Sequence, residues 1–273
     1  MTKPLAFGLI LALAALTAAH AFDESKYPNW RGLWQQLGGS SWDPGKPPGA
    51  GQEAPLTPEY RAIYEASLKN EAAGGVEADP TALCIPAGFP RVMMALKPME
   101  IVITPAATYF MIQEFNTLRR VYTDGRKFPA DFELSYTGYS IGEWQDTDGD
   151  GKYDTLSIET RGMRGPHTYD ASGIPFHKDS EAVVTEKIYA DKVKPDILHD
   201  EITVTDHALT RPWTVTRSYS RAGEGTMLDW SEHLCIDDNK RVQIGDQMYN
   251  LSPEGLLMPS RKGQKPPDLG YFK

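Results

Sequence analysis

Several familiar signatures of function are missing from this chain of 273 residues. Its two cysteines are too few for a disulfide-rich scaffold or a four-cysteine zinc site. There is no H-E-x-x-H, no G-x-S-x-G and no glycine-rich phosphate loop after a strand, so the common zinc-protease, serine-hydrolase and nucleotide-binding motifs do not apply. The net charge of −9 disfavours nucleic acid and anionic membrane surfaces as partners.

The chain also lacks an apolar run of the about 20 residues that a membrane-spanning helix needs. The run from Leu5 to Leu16 is shorter, follows Lys3, and precedes a small-x-small cleavage site at Ala19-His20-Ala21. This pattern predicts a signal peptide over residues 1–21, with a retained anchor as the alternative. The mature chain is then periplasmic or secreted and keeps no membrane span.

Export changes the interpretation of the two cysteines. In an oxidising compartment, Cys84 and Cys235 are predicted to form a disulfide, with two separate buried thiols as the alternative. The bridge joins residues that are 151 positions apart (235 − 84). A loop of that length contributes about 5 kcal/mol in the chain-entropy model.

Glycine, proline, tryptophan and serine dominate residues 22–56, which are predicted to be a loop-rich N-terminal segment. Thr57 as N-cap, Pro58 at the first helical position and Glu59 in the first turn predict a helix near residues 57–73. Residues 57–273 are predicted to form one domain, with a polar, proline-rich tail from residue 261.

Beyond residue 99 the apolar residues recur with a period of two, which predicts strands without intervening helices. The predicted strands are Met99–Thr104, Thr108–Glu114, Thr117–Tyr122, Gly138–Trp144, Thr155–Thr160, Ala182–Tyr189, Ile197–Thr205, Trp213–Tyr219, Met227–Leu234, Arg241–Ile244 and Gln247–Leu251. Parallel pairing needs long crossovers, so the pattern predicts an all-β antiparallel meander, closed into a barrel or folded into a sandwich.

One acidic stretch has the spacing of a calcium loop. Its candidate ligands are oxygen donors at alternate positions, with Lys152 contributing its backbone carbonyl: Asp146, Asp148, Asp150, Lys152 and Asp154. Position 12 holds Ser157 where a calcium loop of this type has a bidentate Glu, so we expect a structural site of roughly 10⁻⁴–10⁻³ M affinity. The alternative is a solvated Asp-Gly turn without metal.

The loop from Arg164 to His177 is the richest in chemically active side chains. Tyr169, Asp170 and His177 are candidate catalytic residues, as an acid/base pair with a second donor, and His167 is a candidate ligand-binding residue. The alternative is that Asp170 caps the turns of its own loop.

A further pair of candidates lies on two neighbouring predicted strands. Glu114 is expected to face Arg119 or Arg120 across an antiparallel ladder. Inside a barrel these three residues would orient a polar ligand, whereas outside it they would form a weak surface salt bridge.

Five segments resemble the motifs of a family of exported, functionally uncharacterised bacterial proteins. They are DPTALCIPAGFPR (79–91), RRVYTDGR (119–126), GYSIGEW (138–144), the loop 164–177 and HDEITVTDHALTRPWTV (199–215). That family has no established activity, so the resemblance implies no catalytic residue. Gly32-Leu33-Trp34, followed by a meander, is also similar to the start of lipocalin-like barrels and implies that fold.

Together these observations predict a lipocalin-like barrel that binds a small, partly apolar ligand in the periplasm and carries a structural calcium ion. The first alternative is a periplasmic hydrolase, lyase or isomerase that uses Tyr169, Asp170 and His177 on a small molecule or glycan. The second is an envelope protein-interaction module without a pocket.

Overall fold

The computed structural model describes residues 22–39, 54–76, 78–223, 230–235, 240–267 and 270. The signal-peptide prediction for residues 1–21 therefore falls outside the described residues. No helix in the described ranges is both long and apolar enough to cross a membrane.

Nine strands form a closed barrel, which confirms the prediction of an all-β barrel. They are β1 (Leu33–Leu37), β2 (Met99–Ile103), β3 (Ala107–Ile112), β4 (Thr117–Tyr122), β5 (Tyr139–Gln145), β6 (Thr155–Arg161), β7 (Val183–Ala190), β8 (Ile197–Thr205) and β9 (Trp213–Arg221). Each strand pairs with its neighbours in chain order, and β1 closes the ring against β9.

The prediction that every strand pairs antiparallel is wrong at one joint. β4 and β5 are parallel, with Val121 opposite Ser140 and Tyr122 opposite Ile141. The physical reason is parity, because alternating strand directions cannot close a ring of nine without one parallel neighbour. Residues 123–138 return along the barrel to make this joint.

The prediction that residues 22–56 consist of loops is wrong over β1, which is a strand. Trp34 and Gln36 are buried, while the residues between and beside them are partly exposed, so the segment alternates like a strand. β1 pairs with both β2 and β9, and without it the barrel would be open.

The remaining strands form a separate sheet of β10 (Arg241–Ile244), β11 (Gln247–Leu251) and β12 (Leu257–Pro259). The predicted strand Met227–Leu234 is wrong over Trp230 to Leu234, which have no regular structure, and its first residues lie outside the described ranges. Hydrogen bonds from the Gln113 side chain to Ser231 and from the backbone N–H of Phe115 to the His233 ring hold this segment against the β3–β4 turn.

The helix α1 runs over Pro58–Ala72, close to its predicted bounds. The Thr57 hydroxyl accepts from the backbone N–H of Tyr60, and Pro58 occupies the first turn, as the capping pattern requires. Within α1, Tyr60 is buried but Ile63 is 47% exposed, so only one edge of the helix packs against the rest of the chain.

Side chains fill the barrel interior. A short helical turn, Arg91–Met94, is buried together with Phe89, and the hydroxyl of Tyr219 on β9 donates to the Met93 carbonyl at 2.7 Å. A side chain at Gly142 would stand 2.7 Å from Cγ1 of Val121. A void between Trp34, Gln36 and Met93 measures about 10 Å³, the size of one water.

The Cys84–Cys235 disulfide is present, as predicted, with Cα atoms 5.5 Å apart. Cys84 follows a short helical turn, Pro80–Leu83, and Cys235 ends the segment that lies against the β3–β4 turn. The bond therefore joins the region before β2 to the chain that follows β9.

Candidate functional site

Strand direction sorts the connections between strands into two groups at opposite ends of the barrel. The acidic end carries the β5–β6 loop, residues 146–154, and the β7–β8 turn, residues 191–196. The histidine end carries the β6–β7 loop, residues 162–182, and the β8–β9 loop, residues 206–212. Alternate connections of a meander share an end, so loops far apart in sequence meet there.

Arg119 lies inside the barrel, where it forms an ion pair with Glu186. Two guanidinium nitrogens of Arg119 donate to the two carboxylate oxygens of Glu186 at 2.8 and 2.5 Å, and Nη2 also reaches Thr160 at 3.1 Å. The Phe89 ring lies 3.9 Å from the guanidinium carbon. Arg119 is 1% exposed, so its contacts stabilise the interior.

Asp200 lies in the same interior and is completely buried. Burial, together with the neighbouring Glu186 carboxylate, raises the pKa of Asp200 well above its usual range. Asp200 therefore keeps its proton to a higher pH than an exposed aspartate does, which reduces the repulsion between two carboxyl groups in a dry interior.

The expected pairing of Glu114 with Arg119 or Arg120 is wrong, because the β3–β4 ladder ends at Ile112 opposite Thr117. Glu114 falls in the turn and instead pairs with Arg91 at 3.3 Å. Burial raises the pKa of Glu114, and the Arg91 charge partly opposes that shift.

Arg120 faces outward on β4 and does not share a site with Arg119. Its guanidinium carbon lies 5.2 Å from the centre of the Tyr109 ring and 5.7 Å from that of Tyr122. It also donates to the Tyr122 hydroxyl at 3.3 Å. These contacts make a surface cluster on the outer face of β3 and β4.

Tyr169 and Asp170 are both fully buried at the histidine end. The Tyr169 hydroxyl donates to Oδ1 of Asp206 at 3.0 Å, and burial with that carboxylate raises the pKa of Tyr169, which keeps it protonated. Asp170 accepts from the backbone N–H and the hydroxyl of Ser172 at 2.9 and 2.6 Å. These bonds match the turn-capping interpretation of Asp170.

His167 is also buried, against the Phe176 ring at 4.2 Å between ring centres. Burial lowers the pKa of His167 to about 4, so the ring is neutral near pH 7. Its surroundings are those of an aromatic core residue.

His177 differs from its neighbours because it meets two residues that the sequence analysis did not select. Its Nδ1 lies 2.6 Å from Oδ2 of Asp179, and Nδ1 of His207 lies 2.6 Å from the same oxygen. His207 comes from the β8–β9 loop, 30 residues along the chain. The signal that could have found it is the rule that alternate connections of a meander share an end.

Asp206 organises this end of the barrel. Besides Tyr169, its Oδ1 accepts from the backbone N–H of His177 at 3.0 Å and from that of Ala208 at 2.8 Å. One buried oxygen thus fixes both loops that carry the histidines.

The acidic loop brings three of its predicted ligands together. Asp146, Asp148 and Asp154 each place one carboxylate oxygen within 4.8 Å of the others, and Asp150 is not among them. Asp146 accepts from three backbone N–H groups of its own loop, at Gly149, Asp150 and Gly151. Such bonds also occur in a metal-free turn, so calcium binding stays a prediction.

Calcium is expected to raise the melting temperature if it occupies this loop. For the expected affinity, about 10 mM calcium stabilises by roughly 1.4–2.7 kcal/mol, which corresponds to a shift of roughly 3–10 °C. Thermal denaturation of the chelator-treated mature chain, with and without calcium, measures the shift. Asp148→Asn should remove the shift, whereas Asp246→Asn in the exposed β10–β11 turn should keep it. An unmoved melting temperature would contradict the prediction.

A groove of about 710 Å³ crosses the outer face of the barrel over β5 to β8. We call it the β5–β8 groove. Tyr27, Trp144 and Tyr153 line it at the acidic end, and outward-facing residues of the four strands line the rest. A second groove, of about 580 Å³, lies between residues 22–32 and β2. Phe22, where the mature chain is predicted to begin, is one of its lining residues.

The chain matches no protein-family model and no curated protein. Its resemblance to an exported bacterial family rests on the sequence motifs alone. The function therefore has to follow from the geometry and chemistry of the groove and of the two barrel ends.

Proposed function

We propose that the protein binds a neutral oligosaccharide in the β5–β8 groove. The observation that carries the proposal is a face of regularly spaced hydroxyl and charged side chains that ends in an aromatic cluster. The volume of about 710 Å³ lies within the usual range of roughly 300–1,000 Å³ for small-ligand sites.

The polar lining follows from strand register. One row across the sheet aligns Ser157 with Lys187 and Lys187 with Glu201, and the next aligns Thr185 with Thr203. Neighbouring strands lie about 4.8 Å apart, so the rows present donors and acceptors at regular intervals. A ligand rich in hydroxyl groups can form hydrogen bonds with these donors and acceptors along its length, because a hydroxyl both donates and accepts.

The aromatic end supplies an apolar surface. The rings of Tyr27 and Tyr153 have centres 5.0 Å apart, and the ring of Tyr27 meets Trp144 edge-on at 5.5 Å. Tyr27 and Tyr153 are only partly buried, so a ligand can still reach them. Aromatic faces of this kind pack against the apolar face of a sugar ring while their hydroxyls stay hydrated.

Charge argues for a neutral ligand. Four carboxylates line the groove, but Glu186 is buried and paired with Arg119. The other three, Glu143, Glu159 and Glu201, face Arg126 and Lys187, which leaves a small negative excess. The net charge of the chain is also negative. Strongly anionic ligands are therefore disfavoured.

We also propose that binding takes place outside the cytoplasm. The predicted signal peptide supports export, and the Cys84–Cys235 bond supports an oxidising compartment, where disulfides persist. A periplasmic or secreted protein would meet envelope and environmental glycans.

Thr185→Arg is expected to weaken oligosaccharide binding by at least about tenfold, or 1.4 kcal/mol, because a long side chain would fill the groove. The measurement is intrinsic fluorescence of the mature chain with cellohexaose, maltohexaose and chitohexaose, since Trp144 and two tyrosines line the site. Thr214→Arg is the matched control. Thr214 is aligned with Thr203 in the same row but lies outside the groove. Failure of all three sugars to bind, or equal weakening by both variants, would refute the proposal.

A further inference from the structure

A second site is visible at the histidine end, opposite the aromatic end of the groove. Nδ1 of His177, Oδ2 of Asp179 and Nδ1 of His207 converge within 4.8 Å of one another. The carboxylate oxygen lies 2.6 Å from each of the two ring nitrogens. Oε2 of Glu181 stands 3.9 Å from Nδ1 of His207, at the rim of the cluster.

The Asp179 carboxylate is in short contact with both histidines. The backbone N–H of Asp179 also lies 3.3 Å from Nδ1 of His177, a weak contact that a bound metal ion would replace. The same Nδ1 faces a carboxylate oxygen at 2.6 Å. Two electron-rich atoms at that separation repel each other unless a proton or a metal ion lies between them.

Hydrogen bonds to the surrounding backbone fix the positions of the three side chains of this cluster. Asp206 fixes the backbone of His177 and of Ala208, which follows His207. The Asp179 carboxylate is oriented because its Oδ1 accepts from the backbone N–H of Glu181 at 3.0 Å, which leaves Oδ2 facing the histidines. The Tyr60 ring of α1 lies 5.2 Å from the His177 ring, and its hydroxyl accepts from the backbone N–H of Lys178.

We infer that His177, Asp179 and His207 form a binding site for a borderline divalent metal ion of the zinc class. Two imidazole nitrogens and one carboxylate oxygen are the donors that such ions prefer, whereas calcium and magnesium prefer oxygen alone. The site is thus chemically distinct from the acidic loop at the other end of the barrel.

The geometry needs only a small adjustment to accept the ion. Tetrahedral zinc with bonds of about 2.0–2.1 Å separates its donors by roughly 3.3 Å, so the oxygen has to withdraw by roughly 0.7 Å from each nitrogen. The side chain of His207 is 65% exposed and can rotate to provide that space. The outer side of the metal site faces solvent, which leaves room for water or for Glu181 as a fourth ligand.

Zinc titration of the chelator-treated, untagged mature chain tests the inference by calorimetry. We expect one ion per chain in the wild type, and at least about tenfold weaker binding after His207→Ala or Asp179→Asn. Neither variant threatens the core, because His207 is largely exposed and asparagine keeps the shape of Asp179. Cobalt substitution adds a second readout, since d–d absorption bands report nitrogen and oxygen coordination directly.

His199→Ala is the matched control. His199 also contacts an aspartate, with Nε2 3.0 Å from Oδ2 of Asp191, but that pair lies at the acidic end, where no second histidine of the described residues joins it. It should bind zinc like the wild type. Absence of binding, binding unchanged in His207→Ala and Asp179→Asn, or equal loss in His199→Ala would overturn the inference and leave a hydrogen-bonded His–Asp–His cluster.

Discussion

Arg119→Met is expected to lower the free energy of unfolding by about 3–5 kcal/mol. The substitution leaves Glu186 buried without its counter-ion, and Glu186 is 2% exposed. It also removes the guanidinium from the Phe89 ring and from Thr160. Urea denaturation followed by tryptophan fluorescence measures the loss.

The double variant Arg119→Met/Glu186→Leu should recover much of that stability. Replacing a whole buried ion pair by apolar residues of similar volume is often neutral, whereas removing one partner is not. Arg120→Met is the matched control, because Arg120 is the next residue on β4 but points to solvent, and it should change stability by no more than about 0.5 kcal/mol. A double variant no more stable than Arg119→Met would show that charge pairing is not the source of the effect.

The variant Cys84→Ala/Cys235→Ala is expected to lose up to about 5 kcal/mol, because the bond closes a loop with a sequence separation of 151 residues. The physical reason is that the unfolded chain gains freedom when the bond is absent. Nearby contacts in the folded state, such as the Arg91 pairs with Asp79 and Glu114, do not involve the sulfur atoms.

Equilibrium unfolding of the oxidised wild type, the reduced wild type and the double variant tests this expectation. The reduced wild type and the double variant should agree, since both lack the cross-link. A loss below about 1 kcal/mol in both would mean that the unfolded chain is already restricted in this region.

The barrel could be predicted because most of its strands alternate clearly between apolar and polar residues. β4, β8, β10 and β11 have their predicted bounds. β1 was not predicted as a strand because its inward-facing residues are Trp34 and Gln36, and a buried glutamine interrupts the alternation of apolar and polar residues. The parallel pairing of β4 with β5 could not be predicted either, because it is required only in a barrel with an odd number of strands. That number was unknown as long as β1 was not recognised as a strand.

The sites were harder to predict than the fold. His177 could be selected from the composition of its loop, but Asp179 and His207 become relevant only when the β6–β7 and β8–β9 loops meet. Arg119 was selected for its charge, and the sequence could not show that its partner is Glu186, 67 residues further along the chain. Contacts across a barrel depend on register, which local patterns do not specify.

The parallel joint has a mechanical consequence. β4 meets β5 only through Val121–Ser140 and Tyr122–Ile141, and β1 meets β2 only through Leu33–Glu100 and Trp34–Met99. These two short seams divide the ring into a three-stranded arc, β2 to β4, and a six-stranded arc, β5 to β9 with β1. Amide hydrogens at the seams should exchange with solvent before those at the centre of either arc. The buried Arg119–Glu186 pair joins the two arcs across the interior, so full separation of the arcs requires this ion pair to break.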